Sequence, residues 1–495
     1  MREPSLLHLA IFGSSLPFLF DPRLDQTASD SFWKYTKRHV FVETAEEPSY
    51  ASLEASTILT LDLSGMTNGP QVAGRLAVIT KLAFNLRAVD DLVLRPSAQT
   101  DEQNSQISNP GFKQHARLFW AIYALDSFIS ITTRQPPGLD EHTLRYFLPT
   151  RDKAWESDRS GQHHDSWPRP DNLPMSPELT FLHLLKLLDV SRDVHRVYLE
   201  YLILPEDDDA RALCWLTMFT EHVKAIDMWL QRWSSSVIVG IRSPSASPAA
   251  VMQHAYGQAL LIYSNGLVEF CDQPSLALHI LEIQEDAQRR CAECVETITN
   301  IASSFVDLMG DQLGWPFAWS MWIAARYLLV AAFHRSTALQ PQFHTLLNYT
   351  HEMGLYWQIS KKYWWLLRRA EHALRMRNAA VDQDVPRILT SIVNLRVPTS
   401  DLEDQFRVDP VLARLKGPQD IPPRSIDAAS TGEFGPAEME AVNLDVYDRS
   451  VFGPGGHLSE TWFSMPLFAS SAHQQFPGDD GSGGTGREMG WEFSS

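Results

Sequence analysis

Residues 113–126 read Lys113-Gln114-His115-Ala116-Arg117-Leu118-Phe119-Trp120-Ala121-Ile122-Tyr123-Ala124-Leu125-Asp126. Apolar side chains recur three and four positions apart, the spacing of neighbours on a helix surface rather than the alternation of a strand. The pattern predicts a helix over 112–133. Phe119, Ile122, Tyr123 and, one turn on, Asp126 share a face of it. A carboxylate on so apolar a face reads as a structural hydrogen-bond acceptor, not a catalyst, because a buried charge persists only when its lone pairs are engaged. Arg117 is read as a partner for a carboxylate in the same bundle.

The same periodicity extends in both directions. Over 49–63 it is carried by Tyr50, Leu53, Ile58 and Leu61, and over 71–86 by Val72, Leu76, Ile79, Leu82, Ala83 and Leu86. Further helices are predicted over 177–203, 207–233, 249–270, 275–309 and 342–376. Alternation is scarce, and 236–241 is the best short strand candidate. Ser176-Pro177-Glu178 supplies a cap, a first-turn proline and an acid near the positive helix end. The acids 206–209 stand before a long periodic run and are read as dipole complements. Polar or Pro-rich breaks at 95–110, 149–174 and 243–248 are read as loops. The fold class is therefore all-α, a multi-helix unit over 1–395 with long inter-helix loops.

From about residue 397 the composition changes to Gly- and Pro-rich turns, scattered acids and isolated aromatics. Residues 401–495 hold 16 acidic against 6 basic side chains, so more than half of the net charge of −18 falls there. Trp462, Phe463, Met465, Leu467, Phe468 and Trp491 are spaced among Glu, Asp and Ser. Residues 396–495 are thus predicted to be a disordered acidic tail, of a composition that can serve as an activation segment.

Composition bounds the function. A chain of 495 residues, 44% hydrophobic and with 15 Trp, can bury a large core. Its acidity opposes direct contact with phosphate backbones. Four cysteines (Cys214, Cys271, Cys291 and Cys294) are too few for a disulfide framework and fit a reducing compartment. The apolar run 6–20 has Glu3 cancelling Arg2, His8 interrupting it and no cleavage site, so it is not read as a signal peptide. The run 315–333 approaches membrane-spanning length, but Arg326 at its middle marks a buried core helix instead. No membrane association is expected.

The candidates for chemistry are weak. Cys291-x-x-Cys294 lies inside a helical pattern and has no second pair with which to complete a zinc site. Asp90-Asp91 and the acids 206–209 repeat no matching motif and read as caps and solvated turns. Gly481-x-Gly483-x-x-Gly486 has neither the strand nor the helix of a dinucleotide site. His163-His164 has no nearby ligand partners. Neither a catalytic nor a metal centre is expected, and no enzyme.

Arg117-x-Phe119-Trp120, Tyr123-x-Leu125-Asp126, Arg134-Gln135-Pro136 and Leu148-Pro149 together resemble the signature of the fungal-specific transcription factor domain, or middle homology region. That family shows Arg-x-Phe-Trp, Tyr-x-Leu-Asp-Arg, Gly-Arg-Pro and Leu-Pro. Here Ser127 stands for the Arg, and Arg134-Gln135-Pro136 for Gly-Arg-Pro. Supporting likeness runs over most of 5–395, including Gly354-Leu355-Tyr356-Trp357 and Tyr363-Trp364. The resemblance implies that Arg117, Phe119, Trp120, Tyr123, Leu125, Asp126, Pro136, Leu148 and Pro149 are fold determinants. It further implies a nuclear regulator of RNA polymerase II genes, shared with the cytoplasm at times, partnered by the transcriptional machinery or a related factor and open to a small-molecule inducer. Members usually begin with a binuclear zinc cluster in which six cysteines hold two zinc ions beside a DNA-contacting loop. Four cysteines cannot build it, so no metal cofactor is expected here. DNA contact is expected to be indirect unless the gene model is truncated. Two other readings stay open: a DNA-binding-deficient modulator that sequesters a full-length relative, and an unrecognised helical enzyme.

Overall fold

The computed structural model describes residues 5–16, 26–67, 70–86, 110–153, 177–202, 209–241, 247–270, 277–379, 387–394 and 402. Thirteen helices and no strand occur among them: α1 (Leu6–Ser15), α2 (Gln26–Glu46), α3 (Tyr50–Ser64), α4 (Pro70–Asn85), α5 (Pro110–Thr133), α6 (Glu141–Lys153), α7 (Pro177–Leu202), α8 (Asp209–Ile241), α9 (Pro248–Glu269), α10 (Ala277–Arg335), α11 (Pro341–Met353), α12 (Gln358–Ala379) and α13 (Arg387–Val393). Apart from Leu402, which is buried in the main core, the acidic tail lies outside the described residues, as do Asp90-Asp91, His163-His164 and the Gly481–Gly486 motif.

Helix α5 joins two cores, as the spacing within 113–126 allows. Leu118, Ile122, Leu125 and Ile129, at steps of four, three and four, face Trp33, Leu53, Leu63, Val72, Leu76 and Ile79 from α2, α3 and α4. Phe119, Trp120, Tyr123, Phe128 and Ile131, on the opposite face, enter the main core with α7 to α13. A third cluster closes α1 over α2 and α3 through Leu9, Val40, Ile58 and Leu59. At the head of α3, Ser49 and Ser52 form a reciprocal capping box.

The main core is built around α9. Its sequence is apolar or small on every side, and nearly every residue from Pro248 to Val268 is buried, as expected of a helix surrounded by others. Gly257 permits the approach of α8: a Cβ there would meet Leu230 Cδ2 at 2.4 Å. The two limbs of α10 flank α9. On the first limb Cys291 reaches the Ile262 carbonyl; on the second, Trp319 packs on Tyr256 and Tyr263, and Tyr327 donates to Glu269 at 2.9 Å.

The structure corrects four expectations. Residues 236–241 are the last turns of α8, not a strand. The β-branched Val237, Ile238 and Val239 carry strand propensity, but the helix already begun continues through them. The run 342–376 is two helices, separated by a turn after Gly354, which caps α11. Runs 275–309 and 315–333 are instead one element, α10, with non-helical backbone at Met309 and at Gly314 (φ 74°) just before Pro316. A positive φ suits glycine, and proline denies the next turn a donor. Helix α6 continues through Pro149 to Lys153, beyond the loop start expected there.

Within α10, Leu281–Arg335 is the one stretch among the described residues that is helical, apolar and long enough to cross a membrane, yet 94% of its apolar window is buried within the fold. Arg326 is among the buried residues, as expected. It donates to the Ile392 and Asn394 carbonyls at 2.9 and 2.8 Å.

Candidate functional site at the 134–139 turn

Helix α5 ends at Thr133, and Arg134 turns the chain with φ 57°. This is the left-handed region, which costs a non-glycine residue roughly 1 kcal/mol or more. Where the resembled family has Gly-Arg-Pro, this chain thus places Arg134 at the position whose backbone favours glycine. Two groups of side chains meet at the turn, one on each side of it.

The first group is centred on Asp126, which has no solvent exposure. Its carboxylate accepts from the Gly138 N–H (2.8 Å), the Leu139 N–H (3.1 Å) and Arg192 Nη1 (2.8 Å). Arg192 comes from α7. It also donates to Ser127 Oγ at 3.3 Å and to the Leu139 carbonyl, and its guanidinium lies 5.0 Å from the centre of the Tyr123 ring. Tyr123 donates to Asp189 Oδ1 at 2.6 Å. The carboxylate therefore ties the end of α5, the turn and α7 into one unit. Every partner found is part of the fold, and the Asp126 carboxylate accepts all three hydrogen bonds from within it. Asp140 then caps α6: it accepts from the Thr143 N–H and hydroxyl at 2.8 and 2.6 Å, which hold its carboxyl below the usual range.

The remaining signature residues surround this unit. Phe119 and Trp120 meet edge-on at 5.4 Å, Phe119 packs on Phe147 at 4.5 Å, and Trp120 meets Tyr123 at 5.2 Å. Leu125 is buried on the face toward α4. Arg117 is half-buried and Pro136 is exposed on the turn. Leu148 is 41% exposed, so Phe147 is the residue of that stretch that enters the core.

The second group is made of Arg134, His195, Tyr198 and Tyr263, with Arg326 beyond them. The Arg134 guanidinium stands 5.3 Å from the Tyr198 ring and 5.4 Å from the Tyr263 ring, and the two rings are 5.3 Å apart. Arg134 Nη1, Tyr198 OH, Tyr263 OH and His195 Nδ1 are all buried without a hydrogen-bond partner. His195 Nε2 lies 2.9 Å from the Gln135 carbonyl. A carbonyl only accepts, so Nε2 bears the proton and Nδ1 presents a lone pair. Burial pushes this imidazole down to about 4, and the Arg134 and Arg192 charges add to the fall. Burial lifts the Tyr263 phenol well above its usual range, with Tyr198 close enough to add to the rise; even so, the hydroxyls make no hydrogen bond of ordinary geometry. Arg326 is lowered to about 9 by burial and then by the neighbouring Arg134 charge.

Sequence reasoning singled out Asp126 as an acceptor. It missed Arg192, His195, Tyr198 and Tyr263, and took Arg134 only as part of a motif. A signal existed: Asp189, Arg192, His195 and Tyr198 follow one another at steps of three along α7.

Elsewhere the described residues offer less. A groove of about 210 Å³ between α8, α9 and α10 is lined by Lys224, Asp227, Asn265, Arg290 and Glu293. Arg290 already pairs with both acids there. Cys291 and Cys294 are fully buried on α10, and burial raises the Cys294 thiol to about 12, so they are core residues. No group of three or more His, Cys, Asp or Glu side chains able to hold a metal ion occurs among the described residues.

Residues 2–231 match the fungal specific transcription factor domain. Over 159 residues the chain is 24% identical to the Zn(2)-C6 fungal-type transcription factor FTF1c of Fusarium oxysporum f. sp. lycopersici, an alignment covering 31% of this chain and 17% of that protein. The chain thus spans well under a fifth of that relative's length. No solved structure matches it. Asp126, Arg192 and the turn they fasten all fall inside the residues that match the fungal specific transcription factor domain.

Proposed function

We propose that this protein is a transcription regulator acting on RNA polymerase II genes, its helical body being the regulatory, middle-homology region of a zinc-cluster-type factor. The observation that supports it is the identity of the 2–231 domain, in which the signature carboxylate Asp126 is wholly engaged in fastening the fold. A transcription factor domain is not an enzyme class, and the reading assigns it no catalysis. Its work is to bind: a component of the transcriptional machinery or a related factor, in the nucleus, under the influence of a small molecule. The 495 residues hold four cysteines and a net charge of −18, so in this reading they carry no zinc of their own and reach DNA through a partner or another module.

The test is a reporter assay. The full chain is fused to a heterologous DNA-binding module, with and without residues 401–495. A change in reporter output that depends on the chain is expected, and an inert fusion at normal expression would remove the activator version. Zinc analysis of the purified chain is expected to give far less than one ion per molecule; a stoichiometric ion would overturn the metal-free part. Co-precipitation with a related zinc-cluster factor, together with silence in the reporter, would instead establish a sequestering modulator.

A further inference from the structure

The chain is acidic as a whole, yet one helix reverses the sign. Helix α12 carries Lys361, Lys362, Arg368, Arg369, Arg375 and Arg377 against a single acid, Glu371. No other described helix has a comparable excess of cations. Lys361, Trp365, Arg368, His372 and Arg375 follow one another at steps of four, three, four and three, which sets them on one face. Each is exposed or half-buried, whereas Tyr363, Leu366, Leu367, Ala370 and Leu374 on the opposite face enter the main core. The one acid is engaged within the fold: Glu371 is 2% exposed and accepts from Arg368 at 3.0 Å and from Arg375, with His344 of α11 3.6 Å away. Even so, 65% of the Arg375 side chain stays in solvent. The Arg369 guanidinium lies 3.5 Å from the centre of the Trp365 ring, which is thereby framed by cations. Like charges crowded along one helix repel one another, and together they raise a positive potential that draws polyanions.

The same chain supplies a polyanion. Residues 425–448 hold Asp427, Glu433, Glu438, Glu440, Asp445 and Asp448 and no Lys, Arg or His. Phe434, Met439, Leu444 and Tyr447 stand among these acids, as Trp365 stands among the cations of α12. The place where the chain leaves the described fold favours their meeting. Leu389 and Ile392 of α13 and then Leu402 are buried in the core to which Leu366, Leu367 and Ala370 of α12 belong. Twenty-five positions separate Leu402 from Asp427. A connection of that length can span up to about 80 Å, whereas α12, with 22 residues, measures about 33 Å. A segment tethered within reach acts at an effective concentration on the order of millimolar, while a free nucleic acid is opposed by the net charge of −18. We propose that residues 425–448 dock along the outer face of α12 in the same molecule, with their carboxylates on Lys361, Arg368 and Arg375 and their apolar side chains against Trp365. The docked segment closes this face to nucleic acid and to acidic proteins. The surface lies beyond the 2–231 match, and its occupancy does not depend on the regulatory reading.

The experiment is zero-length carbodiimide coupling of the full 495-residue chain, which joins a lysine amine to a carboxylate only where the two are in contact, followed by mass spectrometry of the peptides. Coupling of Lys361 or Lys362 to acids within 425–448 is expected. In an equimolar mixture of heavy-isotope-labelled and unlabelled chain, each joined pair is expected to carry one label and not both. The yield is expected to fall severalfold at about 1 M salt, where the screening length is about 3 Å against about 10 Å at 0.1 M. Arg375→Gln leaves every coupling partner in place and is expected to lower the yield roughly twofold or more. Its melting temperature is expected to stay close to that of the parent, because the side chain is 65% exposed. Absence of the coupling, or a yield that salt or Arg375→Gln leaves unchanged, overturns the proposal. Mixed-label pairs assign the face to a second copy of the chain and overturn docking within the molecule. Duplex DNA is titrated alongside at about 0.1 M salt and is expected to stay unbound; binding that Arg375→Gln weakens overturns the proposal by showing the face open to nucleic acid. Coupling that succeeds while the reporter fusion stays inert would sink the regulatory reading and leave the docking in place.

Discussion

The two sides of the 134–139 turn hold similar side chains in opposite states. On one side Asp126 and Arg192 are buried, oppositely charged and fully engaged with backbone, hydroxyl and each other. On the other, Arg134 is joined by two phenols and an imidazole whose polar atoms are left over. The same interior thus both satisfies and strands polar groups within a few residues of chain. A satisfied cluster is explained by the fold it holds together. A stranded one lowers stability instead.

The largest effect should come from breaking the satisfied side. Asp126→Ala removes the acceptor for two backbone donors and leaves the Arg192 guanidinium, 11% exposed, without its counter-charge. Removing one partner of a buried pair costs about 3–5 kcal/mol. Urea denaturation should show a loss of that size, and a loss under 1 kcal/mol would mean that the turn is not held by this carboxylate. Asp126→Ala combined with Arg192→Met should recover part of it, because the stranded cation goes too.

Acid should act next, and it reaches the other side. His195 is held at about 4 in the fold, chiefly by burial, against about 6.5 when unfolded; His183 and His254 are likewise held at about 4 by burial. The unfolded chain therefore binds protons that the folded one refuses. Stability is fully present above pH 6.5 and is lost as pH falls from there toward 4. For each imidazole the loss between pH 6.5 and 5 is on the order of 2 kcal/mol. The raised carboxyls of Glu54, Glu269, Asp193 and Asp311 act in the reverse direction, toward the acid end of that range. A urea midpoint that does not move between pH 7 and 5 would show that these rings are hydrated. On the satisfied side, Tyr123→Phe loses the 2.6 Å bond to the half-buried Asp189, and about 1–2 kcal/mol is expected by the same assay.

The contrast also marks what could be read from residues alone. Helix α5 was legible because its periods of three and four are local, but its division between two cores was not: Ile122, read on one face with Phe119 and Tyr123, packs toward α2, α3 and α4 instead. Nor were the donors to Asp126. Gly138 and Leu139 meet it through a turn, and Arg192 comes from 66 positions away. Nothing in local patterning pairs positions so far apart. The strand expected over 236–241 failed because β-branched residues carry only a weak preference, overridden by the preceding turns of α8. The break at Gly354 was missed because apolar spacing resumes in phase in α12. The stranded cluster was hidden for a deeper reason: Tyr and His are ordinary core residues, and only coordinates reveal which of their polar atoms lack partners.

The smallest effect is therefore the most informative. Tyr198→Phe and Tyr263→Phe each delete one oxygen and keep the ring on which Arg134 rests. Had those oxygens been paired within the protein, each deletion would cost roughly 1 kcal/mol or more. Since neither has a partner, the change in stability should stay within about 0.5 kcal/mol of zero, or fall on the stabilising side. Asp126→Ala and these two variants, measured in one denaturation series, then separate a carboxylate that holds the fold from hydroxyls that the fold does not use. Equal losses on both sides of the turn would erase the distinction, since the phenols would then be as structural as Asp126.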